Sequence, residues 1–461
     1  MYKLKMPLDL PIDINTIQNL DKTYSTPFYL YDEENIKNNA IKYINSFKKY
    51  FPNFKQYFAV KALPNPSILK LLTDCEMGFD CSSPEEIKLV LMVDDCYQHP
   101  SSPIIYTSNY TSCDDLKFVK SFGTNIIINL DDIDGLYNLI KISNIAPKQL
   151  CFRYNPNFDI VDVDVKSNNF TGVNTKFGMD IDTLINAYKL AKEFGVHEFG
   201  LHTMCLSNCL DITFWGELID KIFECINKIK TDLNIDIKFI DIGGGIGIPY
   251  KPEQQYIDID ILAKLIRQRF DYNMNKYSLV IEPKLYTECG RYITGPYGWL
   301  VSKCKSIKVT KNINFYGLDA NMSHLMRPGM YGSYHHITIP RLNNTKSEMT
   351  EANVVGTLCE NNDWFAKQRL LPNNIMKDDY FVIHDVGAHG HSMGFNYNSK
   401  LRCPELLLDK NKKIIQIRKR ETFVDLVKNT KIFNENKKIM IFINLCILFV
   451  LVMMIYLYYL S

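Results

Sequence analysis

A lysine closes the apolar run Tyr57-Phe58-Ala59-Val60 in QYFAVKALPNPSILKLL, and a proline-marked turn and an apolar helical pattern follow it. A lone lysine at a strand end ordinarily snorkels to water along its apolar stem. Lys61 has company. Asp80 in GFDC, Arg153 in CFRYN and His202 in GLH also end short apolar runs. Polar groups that repeatedly terminate apolar strands gather where the chemistry of a parallel barrel sits, at the C-terminal strand ends. A lysine desolvated there has a lowered pKa and can form a Schiff base with a carbonyl compound.

A second stretch suits the same chemistry. FIDIGGGIGIPY, residues 239–250, runs from a strand pattern into a glycine-rich loop. Bare backbone N–H groups in such a loop can close on a phosphate. A dinucleotide fingerprint would need glycine at position 248, and the residue is Ile248. A plain tight turn rarely uses Gly243, Gly244 and Gly245 together. TECGRYITGPYG then offers Glu288 and Arg291 on one loop, with Glu282 in IEP as a rival acid. A carboxylate beside a pyridine nitrogen keeps it protonated, so that the ring takes up electrons. Lysine, phosphate cradle and acid together point to pyridoxal 5'-phosphate, the usual carbonyl partner of such a lysine.

The elements that would position these groups alternate. FKQYFAV, GFDC, PIIYT, NIIINL, QLCFRYN, FGLHTMC, KFIDIG and SLVIEP read as strands. Helical patterns such as SPEEIKLVLMV, INAYKLAKEFG and WGELIDKIFECINKI separate them, the first capped by Ser83 with Glu86 three residues on. About eight strands alternating with helices predict a closed α/β barrel of the (β/α)8 TIM type rather than an open sheet. After Cys289 the texture becomes β-rich: GWLVSKCKSIKV, HHITIPRL, EANVVGTLC, DYFVIHDVG, PELLLD and KIIQIRKR read as strands between turns. FYLYD near the N-terminus adds a strand to that part. The expected division is 1–30 with the β domain, 31–287 barrel, 288–427 β-rich domain, 428–438 linker and 439–460 tail.

The chain has 461 residues, too long for one ordinary domain, and 46% hydrophobic residues support a sizeable core. A net charge of +2 gives no reason to expect a nucleic-acid partner. Thirteen cysteines lie without C-x-x-C spacing, so neither a metal site nor a redox pair is predicted. MYKLKMPLDLPIDI has no apolar signal region, and the thiols are expected reduced in cytosol. The sequons at Asn109, Asn169 and Asn321 are then chance matches. Residues 439–460, IMIFINLCILFVLVMMIYLYYL, carry no charge, follow Lys437 and Lys438, and end among Tyr456, Tyr458 and Tyr459. That pattern predicts a single-pass transmembrane helix, a C-terminal tail anchor in a membrane with the catalytic body on the cytosolic side.

Ordered motifs from about residue 25 to residue 425 carry a resemblance. They are TPFYLYDEENI, YFAVKALPNPSILKLL, GFDCSSPEEI, NTKFGMD, DIGGGIGIPY, ECGRYITGPYG, GLDANMSHLMRPGMYGSYHHI, VVGTLCENNDWFAKQRLLP and HDVGAHGHSMGFNYNSKLR. The chain resembles the fold-type III pyridoxal-phosphate-dependent amino-acid decarboxylases, most closely those that act on diaminopimelate. The resemblance implies an alanine racemase-like barrel, a homodimer with shared active sites, and decarboxylation of meso-2,6-diaminopimelate to L-lysine and CO2. Lys61 would form the Schiff base. Gly243, Gly244 and Gly245 with Arg291 would hold the phosphate, and Glu288 the pyridine nitrogen. Asp80, Arg153, His202, Ser207 and Tyr397 complete the expected cofactor set, and Lys176 matches a charge near the cofactor or the dimer interface. Arg327 and Tyr331 would clamp the distal carboxylate, with Arg291 and Tyr397 also at the substrate. Glu360 would bind the distal amino group, and Cys359 would handle the proton at Cα in the partner's site.

Two positions depart from the commoner pattern. Met204 stands where a ring-stacking histidine is usual, and His389 where a phosphate-binding tyrosine is usual, with Tyr397 as its replacement. The alternatives are a decarboxylase of ornithine, arginine, lysine or carboxynorspermidine, a racemase of the same fold, or an inactive homologue that binds without turnover. A distal carboxylate asks for a fixed guanidinium, and the arginine of RPGMY favours diaminopimelate among them.

Overall fold

Apolar runs of four or five residues, each followed by an amphipathic helix, can pair only in parallel, because the helix carries the chain back to the start of the next strand. The computed structural model follows that rule. It describes residues 8–93, 103–123, 125–158, 170–311, 313–342 and 347–431. After β1 (Phe28–Asp32) come β2 (Lys55–Ala59), β3 (Gly78–Cys81), β4 (Ile104–Ser108) and β5 (Ile126–Leu130). Then come β6 (Gln149–Arg153), β7 (Glu198–His202), β8 (Ile237–Asp241) and β9 (Lys284–Thr287). Strands β2 to β9 close a parallel barrel, with Lys55 of β2 opposite Tyr286 of β9.

Two apolar layers hold the barrel. Inside it Tyr57, Ile105, Cys151, Phe239 and Tyr286 pack together. Phe239 stacks on Tyr286 at 4.8 Å, and it has room only because position 200 is glycine: a Cβ there would lie 2.0 Å from the Phe239 ring. Outside, helices bury one stripe each. In Ile212–Leu233 the stripe is Trp215, Leu218, Ile219, Ile222, Phe223, Ile226 and Ile229, at helical spacing, and Asp211 caps the start. Each fully buried side chain of this size contributes about 1.5–3 kcal/mol.

The eighth barrel strand corrects the sequence reading. It is Lys284–Thr287, not SLVIEP. Val280 is 96% exposed and Ser278 has φ +50°, so that run turns at the surface. KLYT has the alternation that matters, since Leu285 and Tyr286 find buried partners.

The second sheet holds β1 with β10 (Gly298–Thr310), β11 (Ile313–Leu318), β12 (Ile337–Thr338), β13 (Met349–Val355), β14 (Trp364–Pro372), β15 (Tyr380–Ile383), β16 (Glu405–Leu408) and β17 (Ile414–Arg418). Its order is β14-β13-β11-β10-β1-β16-β17, and β15 pairs with β10 and β12. β1 runs antiparallel to β10 and parallel to β16, so FYLYD is a central strand. INFYGL and WFAKQRLLP are strands that the sequence reading did not name. HHITIPRL yields only Ile337–Thr338 before Pro340 opens a 3-10 turn.

The chain divides into two compact units, residues 1–420 and 421–461. Barrel and sheet lie within the first. In the second, Thr422 and Asp425 form a capping box at the start of the short helix Phe423–Val427.

The membrane expectation is corrected. Among the described residues no helix is long and apolar enough to cross a membrane, and residues 439–460 lie outside the described residues. The fold is therefore the barrel with its β-rich sheet, and neither a membrane partner nor a tail-anchored location is carried forward. The described cysteines are free thiols.

Candidate active site

The C-terminal ends of the barrel strands open on a cavity of about 490 Å³. Lys61 sits in the 3-10 turn that follows β2, and its Nζ donates to Asp80 Oδ2 of β3 at 2.6 Å. Asp80 is fully buried, while about half of the Lys61 side chain is open, and it opens on the cavity it lines. Burial pushes the Lys61 pKa down, but the Asp80 and Glu288 carboxylates outweigh it, and the amine sits above its ordinary value. Burial, with repulsion from Glu288, pushes Asp80 up to about 7.

Next to this pair is an acid–imidazole contact. His202, the last residue of β7, brings Nε2 to 3.2 Å from Glu288 Oε2, one residue past β9. Burial alone would raise the Glu288 pKa, and His202 together with Lys61 and Arg153 brings it below the usual carboxylate value. Glu288 Oε1 is buried without a partner. Glu282 lies elsewhere, on the surface and paired with Arg267 at 2.7 Å. Arg153 ends β6, donates to Asp131 at 3.1 Å and to the Met204 carbonyl at 3.2 Å, and covers the Phe177 ring. Lys176 is exposed beside the same ring.

The glycine-rich loop follows β8. Gly243 and Gly245 have φ of +68° and +92°, in the left-handed region that favours glycine. A Cβ on Gly243, Gly244 or Gly245 would lie 2.5, 2.7 or 2.1 Å from a backbone oxygen of Thr203, Glu288 or Leu206. Asp241 Oδ1 takes the N–H of Gly243. No acceptor among the described residues takes the N–H of Gly244 or Gly245. Met204 packs on this loop, and its Sδ would lie 3.0 Å from a Gly243 Cβ. Arg291 faces the cavity and donates to Ser207 Oγ at 3.1 Å.

Arg327 and Tyr331 come from the sheet side, on the short helix Arg327–Tyr331, and line the same cavity. His389 also lines it, kept neutral by burial and by Arg291, Arg327 and Lys61 nearby. Asp80 and the three glycines stand beside the lining, against Lys61, Met204 and Glu288, rather than in it, and other expected residues are not brought there. Cys359 and Glu360 are exposed on the loop between β13 and β14, and Tyr397 is 47% exposed and outside the lining. The sequence reading missed Asp241 and Tyr250, and also Thr107 and Asn109 in the lining. Asp241 ends an apolar strand as Lys61, Arg153 and His202 do, and Tyr250 ends the quoted glycine stretch. The same rule extended along the chain finds Asp241, whereas Tyr250 sits in the loop after β8 and carries no such signal.

These residues fit pyridoxal phosphate. An amine opens on the cavity, a glycine cradle offers unpaired N–H groups, and a buried carboxylate oxygen lacks a donor. Ligand atoms of His202, Asp241 and Glu288 also lie within 4.8 Å of one another, two buried carboxyls and an imidazole that a protonated ring nitrogen would satisfy.

Known proteins agree with this geometry. Residues 37–295 match the pyridoxal binding domain of the pyridoxal-dependent decarboxylases. The chain is 38% identical to Protein TabA of Pseudomonas amygdali pv. tabaci, over 89% of this chain and 92% of that protein. It is 32% identical to the diaminopimelate decarboxylase of Methanothermobacter thermautotrophicus, with the same coverage. The crystal structure of diaminopimelate decarboxylase from Helicobacter pylori complexed with L-lysine superposes with a TM-score of 0.77 at 30% identity, over 89% of this chain and 98% of that one. With the barrel, the lysine and the glycine cradle in place, the chain belongs to the family of pyridoxal-dependent decarboxylases, of fold-type III.

Proposed function

We propose that the chain removes one carboxylate of meso-2,6-diaminopimelate as CO2 and releases L-lysine. The observation that carries this reading is the pair Arg291 and Arg327 in the cavity that Lys61 lines. Among the described residues neither guanidinium pairs with a carboxylate. Diaminopimelate has a carboxylate at each end, and the one that stays needs a fixed cation. A guanidinium fork suits it. Ornithine, arginine and lysine have no such group.

When bound, pyridoxal phosphate supplies an electron sink for the pair left at Cα as CO2 departs. Lys61 is the amine that holds it. The N–H groups of Gly244 and Gly245, with Arg291 and Ser207, receive its phosphate. Glu288, ionised against His202, keeps a proton on the ring nitrogen. Phe170, Phe177 and Met204 wall the cavity and keep water from it. Arg327 and Tyr331 hold the distal carboxylate.

Among the described residues no thiol lines this cavity, and Cys359 is exposed outside it. A two-fold homodimer resolves this, because an isologous interface supplies the same loop to both sites. In that dimer Cys359 of the partner subunit returns a proton to Cα, and Glu360 of the partner subunit accepts from the distal ammonium.

The test is CO2 release by the full-length chain with pyridoxal phosphate, given meso-diaminopimelate, ornithine, arginine, lysine and carboxynorspermidine one at a time. Release from diaminopimelate alone is expected. Release from another amine, or none at all, overturns the reading.

A further inference from the structure

One buried donor has no part in the proposed reaction. Tyr57, on β2, points into the barrel and is fully buried. Among the described residues its hydroxyl has no hydrogen-bond partner. Its ring has room because β3 faces it with a glycine: a Cβ on Gly78 would lie 2.6 Å from the ring. On the other side it packs 5.4 Å from the Tyr286 ring. Tyr57 is not among the residues that line the cavity; it stands beneath the rim.

The strand registers put this phenol under two carboxyl groups. Side chains alternate along a strand, so Asp241 and Glu288 face inward one layer above Phe239 and Tyr286. Lys55 pairs with Tyr286 and Gln56 with Thr287; the next pair in that register is Tyr57 with Glu288. Asp241 lies across from Tyr286 on β8. Asp241 Oδ2 and Glu288 Oε1 are buried oxygens without a donor. Burial first, and then Tyr286, Asp241 and Glu288, push the phenol well above its ordinary value. At neutral pH it keeps its proton and can donate. Burial and Glu288 raise Asp241 likewise, so the two carboxyls share one negative charge as a coupled pair. An unpaired buried donor beneath unpaired buried acceptors is costly on both sides, and one enclosed water that joins them removes both costs.

We propose that Tyr57 is a positioning residue for the acid beneath the cofactor: its hydroxyl donates, through one buried water, to the Asp241–Glu288 pair and holds the negative charge of that pair toward the ring nitrogen. The charge then stays on the carboxyls and the proton on the ring. Without that donor the pair is a stronger base, and it draws the proton away from the ring nitrogen. The ring becomes a poorer electron sink, while the groups that hold substrate are untouched. The inference rests on the proposed place of Glu288 at the ring nitrogen, and not on which amino acid is decarboxylated.

The experiment loads the full-length wild type, Tyr57→Phe and Glu288→Gln with pyridoxal phosphate isotopically labelled at the ring nitrogen. Nuclear magnetic resonance reads that nitrogen with no substrate present. In the wild type it should be protonated. Tyr57→Phe removes one oxygen and keeps the ring; its resonance should move toward that of a neutral nitrogen, with cofactor still bound. Its kcat for CO2 release should fall about tenfold, as for loss of a hydrogen bond to a charged group, with KM unchanged. A resonance identical to wild type overturns the proposal, and so does a rise in KM at constant kcat. Tyr57→Leu separates packing from the hydroxyl, and a shift confined to that variant also overturns the proposal. Should Tyr57→Phe not fold, a crystal structure of the loaded wild type decides: a water within hydrogen-bond distance of both the Tyr57 hydroxyl and an Asp241 or Glu288 carboxyl is expected, and a phenol without that bridge overturns the proposal. Glu288→Gln should lose the ring proton. If it keeps it, the proposed place of Glu288 fails and this inference with it; if Glu288→Gln moves the resonance and Tyr57→Phe does not, the inference fails alone.

Discussion

The barrel rim and three histidines of the β-rich sheet both bury titratable groups, and they treat them in opposite ways. At the rim, Asp80 Oδ1, His202 Nδ1, Asp241 Oδ2 and Glu288 Oε1 are buried with no hydrogen-bond partner. In the sheet region, three buried histidines use both ring nitrogens. His384 faces the Leu8 carbonyl and Thr338 Oγ1. His324 accepts from Asn321 N–H and faces the Leu401 carbonyl. His391 faces the Cys403 carbonyl and an Arg402 donor. A carbonyl can only accept, so each ring is a neutral, satisfied imidazole. Unsatisfied buried groups are costly. The rim bears that cost where a ligand can meet it, whereas these three histidines avoid it; in the same region His335 Nε2 and Asp385 Oδ2 are buried without a partner. The difference separates side chains kept for binding from side chains kept for folding.

The largest effect that could break this comparison is at Lys61. In Lys61→Ala the visible absorbance of lysine-bound cofactor should vanish, and CO2 release should fall about a thousandfold or more. Unchanged spectra would mean that the rim is not the cofactor site. Arg327→Ala should come next. Losing a charge-assisted fork predicts a KM for diaminopimelate about ten- to a hundredfold higher, with bound cofactor retained; steady-state kinetics reads both. A smaller effect tests whether the exposed Cys359 completes a neighbour's rim. Lys61→Ala and Cys359→Ala chains, each inactive alone, should regain up to about one quarter of wild-type activity when mixed under exchange. No recovery would place the proton donor within one chain.

The smallest effect is on stability, and its sign differs between these three histidines and Asp80. Burial pushes His384 down to about 3, and His324 and His391 down to about 4. The folded state then binds fewer protons than the unfolded one. Their contribution is complete above pH 6.5 and is lost as pH falls from there toward 4. Asp80 is raised to about 7, so its folded state binds more protons, and its contribution weakens as pH rises from 4 to 7. Thermal unfolding of the apo chain across pH 4.5 to 7.5 should show His384→Asn flattening the acid-side fall. Asp80→Asn should gain on the wild type as pH rises. Parallel curves for both variants would erase the distinction.

The sequence carried much of the rim and less of the sheet. Lys61, Asp80, Arg153 and His202 were legible because each interrupts an apolar run at its end, a local signal. The same signal was present at Asp241, where the reading did not follow it. SLVIEP misled for a related reason: an apolar run of strand length says nothing about which residues find partners inside a barrel. Strand β11 was harder to read, since INFYGL mixes polar and apolar residues and owes its strand state to its neighbours β10 and β13.

By itself the sequence determined the parallel barrel, the lysine and the glycine cradle, because these depend on residue type, periodicity and short spacings along the chain. Only the tertiary structure decided that Glu288 rather than Glu282 reaches the cavity, that Cys359 and Tyr397 do not, and that Arg291 and Arg327 meet on one tyrosine oxygen. Those facts depend on residues far apart in the chain arriving at one place, and distance in space is fixed by packing rather than by local pattern.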